Sequence, residues 1–180
     1  MTPGEREQKI KALIDKLCLT RKLKRDEWVE LIRERTPAAA EYLFELARAV
    51  RIQHYGHDVY IRGLIEFTNY CKNDCYYCGI RKSNTNAQRY RLSKEDILCC
   101  CDQGYELGFR TFVLQGGEDG WFTDERLCDV ISEIRNSFPD CAITLSVGER
   151  SRQSYQRLYE AGANRYLLRH ETYDGDHYSR

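Results

Sequence analysis

Apolar residues recur at helical spacing through the first third of the chain. Ile10, Leu13, Ile14 and Leu17 form one stripe, and Trp28, Leu31 and Ile32 form a second. Thr36-Pro37 opens a third helix, with a hydroxyl N-cap followed by proline at the first helical position. That helix carries Tyr42, Leu43, Leu46 and Val50, and Gly56 can end it. The pattern predicts an N-terminal helical segment over residues 1–56. The basic run Lys22, Lys24 and Arg25 could touch phosphate, but a solvated helix face explains it.

The period then changes. Val59 to Phe67 reads as a strand, and a polar, cysteine-bearing loop follows from Thr68 to about Leu92. Ser93 with Asp96 resembles a capping box for a helix to Leu107, with Gly108 as its stop. Thr111 to Leu114 is a second strand, and Gln115 to Gly120 is a turn-rich loop. Thr123 caps the next helix, in which Leu127, Val130, Ile131, Ile134 and Phe138 share one face before Pro139 ends it. Ala142 to Val147 is a third strand, Ser151 to Ala161 a helix closed by Gly162, and Tyr166 to Leu168 a fourth strand.

Strands and helices that alternate over residues 57–180 predict an α/β fold, with a parallel sheet and helices packed outside it. An open sheet and the first four strands of a (β/α) TIM-type barrel both satisfy the pattern. A full barrel takes roughly 200–250 residues, and only about 120 follow the helical leader. The expectation is therefore a truncated chain, cut near the middle of its barrel; a small complete four-stranded domain is the alternative. A parallel sheet must cover both faces and manage its edges. A free-standing chain of 180 residues is accordingly expected to be poorly active or unstable, unless the protein continues.

Charge and composition narrow the classes. The 28 Lys and Arg balance 28 Asp and Glu, so no whole-chain basic field for nucleic acid exists. Hydrophobic residues make up 42% of the chain, enough for a core and too many for global disorder. No apolar run is long enough to predict a membrane span. The first residues are charged and lack the apolar region of a secretory signal. Nine cysteines are many, and an odd count without a signal fits a disulfide framework poorly. The composition favours a reducing cytoplasm in which some thiolates bind metal.

The strongest chemical signal is Cys71-Lys-Asn-Asp-Cys75-Tyr-Tyr-Cys78, three thiols on one loop directly after the first strand. Structural zinc prefers four ligands, usually as two separated pairs. Three thiolates on a cubane iron–sulfur cluster would leave one iron open to a substrate, whereas electron-transfer clusters usually have four cysteines. A zinc site completed by His54 or His57, or plain buried thiols, remain as alternatives. Cys18, Cys128 and Cys141 lie in apolar-periodic segments and read as core. Cys99, Cys100 and Cys101 point three ways from one helix and also read as packing.

C-x3-C-x2-C with Tyr77 before its last cysteine, followed by a βα repeat, resembles the radical S-adenosylmethionine superfamily. The resemblance implies a [4Fe-4S] cluster held by Cys71, Cys75 and Cys78. It implies S-adenosylmethionine chelating the open iron, and its reductive cleavage to a 5′-deoxyadenosyl radical. Gly116-Gly117-Glu118 follows the second strand and resembles the family's Gly-Gly-Glu motif, where glycine lets backbone approach the methionine amino group.

Two more polar strings end strands three and four: Thr144-Leu-Ser146 and Arg169-His-Glu171. The C-terminal ends of parallel barrel strands share one face, so these loops converge with the cysteines on that rule alone. Glu171 could hold ribose hydroxyls and Arg169 could pair a carboxylate, or the two could pair locally. His170 reads as a packing or supporting residue.

Longer strings at 73–83, 112–119, 144–150 and 166–172 resemble the [FeFe]-hydrogenase maturase branch, with biotin synthases and methylornithine synthases as relatives. That resemblance implies a small-molecule or organometallic substrate, a reductant such as ferredoxin or flavodoxin, and other maturases as partners. It places cofactor or substrate contacts at Tyr77, Gln115, Gly116, Gly117, Glu118, Thr144, Ser146, Arg169 and Glu171. A noncatalytic, cysteine-rich metal-binding module is the reading from another class.

Overall fold

The computed structural model describes residues 2–178. Its contacts divide the chain into two units, Met1–Val59 and Tyr60–Arg180.

The first unit holds three helices: α1 (Pro3–Thr20), α2 (Arg25–Glu34) and α3 (Pro37–Tyr55). Thr2 and Glu5 form a reciprocal capping box on α1, so two of its orphan amides are satisfied at the start. Thr36 caps α3 through the Ala39 amide, Pro37 follows, and Gly56 closes the helix at φ 62°. Ile10, Ile14, Leu31 and Ala39 form the buried centre, with Leu13, Leu17, Tyr42, Leu43 and Leu46 packed around it. The α2 stripe is turned so that Leu31 is buried while Trp28 and Ile32 remain exposed. Lys22 and Lys24 lie in the α1–α2 connection and Arg25 only begins α2, so the basic run is exposed but does not form a helix face. Cys18 is half-buried and outside that centre, against the expectation of a core position.

The second unit contains β1 (Gly63–Thr68), α4 (Lys94–Glu106), β2 (Thr111–Gly116), α5 (Asp124–Ser137), β3 (Ala142–Ser146), α6 (Arg152–Glu160), β4 (Arg165–Tyr166) and α7 (Gly175–Tyr178). The strands form one parallel sheet in the order β1-β2-β3-β4. Strand alternation splits its residues between two faces. Ile65, Phe67, Phe112, Leu114, Ile143 and Leu145 face the helices and share a core with Ile97, Cys101, Leu127, Ile131, Ile134 and Leu158. Leu64, Glu66, Val113, Gln115, Thr144 and Ser146 occupy the opposite face. Register places Glu66 beside Gln115 and Gln115 beside Ser146, a polar row across three strands.

This is the first half of a (β/α) barrel in its strand order and layering. β1 begins at Gly63, later than the apolar pattern suggests, because Val59, Tyr60 and Ile61 lie beyond its ladder and are exposed. β4 pairs through only two residues; Leu167 still donates to the Leu145 carbonyl, but Leu168 is exposed. The C-terminal ends of all four strands lie along one edge, and the loops that leave them carry the polar groups.

Candidate metal and cofactor site

The cysteine loop leaves β1 and returns to the same point. Thr68 bridges Arg91 in antiparallel fashion, and the Leu92 amide donates to the Phe67 carbonyl at 2.8 Å. Asn69 fastens the neck with both ends of its amide: Nδ2 donates to the Gln88 carbonyl at 2.7 Å and Oδ1 accepts from the Tyr90 amide at 2.8 Å. Inside the loop, the Cys78 amide donates to the Cys75 carbonyl and the Lys82 amide to the Asn73 carbonyl. Asp74 accepts from the Ser83 amide at 2.9 Å, and hydrogen bonding from the Ser83 hydroxyl, then from that amide, holds its carboxyl below the usual range. The Arg89 guanidinium lies within the loop and donates to the carbonyls of Asn69, Ile80, Arg81 and Asn84.

Cys71, Cys75 and Cys78 are free and half-buried on this loop. Among the described residues, no three His, Cys, Asp or Glu side chains converge tightly enough to hold a single metal ion. A closed zinc site needs such convergence. A cubane cluster puts each ligand sulfur on a different iron, so its thiolates ring a volume and need not meet at a point. Three free thiols on one short loop fit that demand.

The turn after β2 packs directly against the loop. A Cβ on Gly116 would lie 2.7 Å from Thr68 Cγ2, and one on Gly117 would lie 2.2 Å from the Tyr70 carbonyl oxygen and 2.7 Å from Cys71 Cβ. Glycine is required here because Thr68 crowds Gly116, and the Tyr70 backbone and the Cys71 Cβ occupy the space at Gly117. The Glu118 carboxylate accepts from Asn73 Nδ2 and pairs with Lys72 Nζ, each at 2.8 Å, while its carbonyl accepts from the Lys72 amide. The Lys72 ammonium is held above its ordinary value by that carboxylate. The structure thus turns Glu118 onto the cysteine loop as a brace.

Asp119 was not singled out by the sequence, yet it ties the site to the sheet. It is buried, accepts from Thr68 Oγ1 at 2.8 Å and from the Trp121 amide at 3.0 Å, and receives both Nε and Nη2 of Arg91, at 2.6 and 2.9 Å. Burial pushes its carboxyl upward, but Arg91, Trp121 and Thr68 outweigh burial and hold it below the usual range. The Arg91 guanidinium also lies 3.9 Å from the Tyr70 ring centroid.

The polar row continues the site across the sheet. Gln115 donates to Glu66 at 3.0 Å and accepts from Arg169 at 3.1 Å. Arg169 therefore reaches Gln115 from the loop after β4. Ser146 and Thr144 are buried, and the Thr144 hydroxyl has no hydrogen-bond partner among the described residues. An orphaned buried hydroxyl marks a place where a ligand group can complete the bonding. Glu171 adopts φ 58°, a left-handed conformation that non-glycine residues rarely take. It lies beside Tyr77, whose phenol is held above its ordinary value by desolvation and then by negative charge from Glu171, Cys75 and Cys78. The fourth-strand loop thereby reaches the cysteine loop.

Three cysteine and histidine expectations change. Cys99 and Cys100 are exposed, and only Cys101 of that triplet is packed in the core. Cys141 is buried as expected, and Cys128 is half-buried against the core. His170 is exposed, its ring 6.3 Å from that of Tyr173 and 6.4 Å from that of Tyr178. Glu66, Arg89, Arg91 and Asp119 are the site residues that spacing alone did not reveal.

No family model matches the chain. It is similar to the [FeFe] hydrogenase maturase subunit HydE of Thermotoga maritima, 44% identical over 132 residues, which are 73% of this chain and 37% of HydE. It is also similar to 3-methylornithine synthase of Methanosarcina acetivorans, 33% identical over 78% of this chain and 40% of that protein. A crystal structure of methylornithine synthase superposes with a TM-score of 0.79 at 29% identity, covering 91% of this chain and 49% of that one. The hydrogenase maturase HydG shares the fold, with a TM-score of 0.83 over 93% of this chain and 38% of that one. The chain spans less than half the length of each of these relatives.

Proposed function

This chain is a homologue of radical S-adenosylmethionine enzymes, and on that premise we propose that it forms the cluster-bearing half of such an enzyme. Cys71, Cys75 and Cys78 would hold a [4Fe-4S] cluster. That cluster, when bound, supplies the electron that cleaves S-adenosylmethionine to a 5′-deoxyadenosyl radical. The observation that carries the reading is one loop with three free thiols, seated on Gly116-Gly117 at the C-terminal edge of a parallel sheet.

The chain's own groups divide the remaining work. Gly116 and Gly117 keep the space beside Cys71 free of side chains. Glu118, through Lys72 and Asn73, fixes the loop against the sheet. Gln115, Thr144, Ser146 and Arg169 present an amide, two hydroxyls and a guanidinium on the inner face, a set suited to the amino, carboxylate and hydroxyl groups of S-adenosylmethionine or substrate. Tyr77 and Glu171, which interact with each other, would border that face from the loop side.

The finer reading is maturation of the [FeFe]-hydrogenase diiron subcluster. It is supported by 44% identity to HydE against 33% to 3-methylornithine synthase. It carries with it a small organometallic or sulfur-bearing substrate, a ferredoxin or flavodoxin as reductant, partner maturases and a cytoplasmic setting. Among the described residues no helix is long and apolar enough to cross a membrane.

Anaerobic reconstitution with iron and sulfide, followed by EPR of the reduced protein, tests the proposal. A [4Fe-4S]⁺ signal that changes on adding S-adenosylmethionine and disappears in Cys75→Ala supports it. A colourless protein with stoichiometric zinc overturns it in favour of a noncatalytic metal-binding module.

A further inference from the structure

We propose that Arg89 is a positioning residue that sets the cysteine loop in a ligand-ready form before any metal arrives. The proposal rests on the cluster reading of that loop. The three cysteines lie between two flanks, Asn69 before them and residues 80–84 after them, and one guanidinium joins both flanks. Nη1 donates to the carbonyls of Asn69 and Ile80, the latter at 2.8 Å. Nη2 donates to the carbonyls of Arg81 and Asn84, at 2.6 and 3.2 Å. The loop belongs to no helix or ladder, and of these four oxygens only that of Arg81 also accepts from a backbone amide, that of Asn84 at 3.1 Å, so the guanidinium carries most of their bonding. Arg89 and Cys71 line the same concavity inside the loop.

The geometry separates this role from general stability. Every acceptor of Arg89 lies within residues 69–84, and none lies on a strand or helix. Arg135 is the contrasting case: it gathers the carbonyls of Pro139, Cys141 and Gly162 in the turns around α5, β3 and α6. Loss of Arg89 therefore unties the two flanks of the loop from each other and leaves the core packed. Thiolates on a freed loop must be ordered as the cluster binds, and that ordering entropy is charged against binding. Lysine keeps the charge but has one nitrogen in place of the planar fork, so it cannot hold both flanks at once.

The experiment compares wild type, Arg89→Ala, Arg89→Lys and, as a control, Arg135→Lys. Hydrogen exchange of the metal-free protein is read first. Amides of residues 69–84 are expected to exchange at least about tenfold faster in Arg89→Ala, with those of β2 and α5 unchanged. Reconstitution is read second, as iron and sulfide per chain and the shape of the reduced EPR signal. Arg89→Ala is expected to hold several-fold less cluster with a broadened signal, Arg89→Lys to fall between, and Arg135→Lys to melt earlier with the wild-type signal.

Wild-type loop exchange in Arg89→Ala, or full cluster with an unchanged signal, overturns the proposal. If Arg89→Ala loses β2 protection as well, Arg89→Lys decides: wild-type loop exchange there also overturns it. If wild type takes up no cluster, the functional reading fails, and the exchange data alone judge the clasp.

Discussion

Removing the charge of Asp119 by asparagine would break the ion pair with Arg91 and leave one accepting oxygen where two now serve Arg91, Thr68 and the Trp121 amide. Arg91 is a third exposed and can return to water, so the full penalty for breaking a buried pair does not apply. Asp119→Asn is expected to cost about 1–3 kcal/mol at pH 7 in urea unfolding. Because the folded carboxyl is depressed, its contribution is complete above the unfolded value of about 3.9 and is lost as pH falls through the folded value. The gap between wild type and Asp119→Asn should therefore close in acid; a gap that is the same at every pH would show that the ion pair is not its source.

Gly117→Ala places a methyl against backbone atoms that cannot rotate away, and is expected to cost about 1–3 kcal/mol and to lower cluster loading. Gly120→Ala, with nothing within 4 Å, is the control for thermal melting and iron content. The cysteine triplet was legible from spacing because its members are sequence neighbours. Asp119 was not, because Thr68 lies 51 residues away and no local pattern joins them. Arg89 and Arg91 sit in a polar stretch where solvated arginines look the same.

Among the elements, α5 follows its pattern most closely. Thr123 caps it, and Leu127, Val130, Ile131 and Ile134 are buried as the spacing requires. Ile131 is wholly buried between helix and sheet, so Ile131→Ala is expected to cost about 2–5 kcal/mol. Glu133→Ala on the outer side should stay within about 0.5 kcal/mol, both read from urea midpoints. Strand limits were harder to read. Val59, Tyr60 and Ile61 are as apolar as a strand, but a strand exists only where a neighbour offers a ladder, and β1 pairs from Gly63. β4 shortens for the same reason, with a partner on one side only among the described residues. The α/β alternation itself was plain, since a hydroxyl cap opens each crossover helix and Gly108, Pro139 or Gly162 follows its end.

At the scale of the molecule, two units carry separate cores. The second presents a half-barrel sheet whose outer strands each lack a second neighbour among the described residues. The expected partial barrel agrees with a chain that spans 37% of HydE and 49% of a solved methylornithine synthase. The three consecutive cysteines of α4 give this unit a chemical clock. Cys99 and Cys100 are exposed, while burial pushes the Cys101 thiol up to about 12. Iodoacetamide should alkylate the first two at the pace of open thiols and Cys101 at least about a hundredfold more slowly, as mass spectrometry of timed samples can show. Equal rates would mean that α4 does not shield it. With unequal rates, the lag at Cys101 times how often the helical layer lifts from the sheet, using reporters already written into the chain.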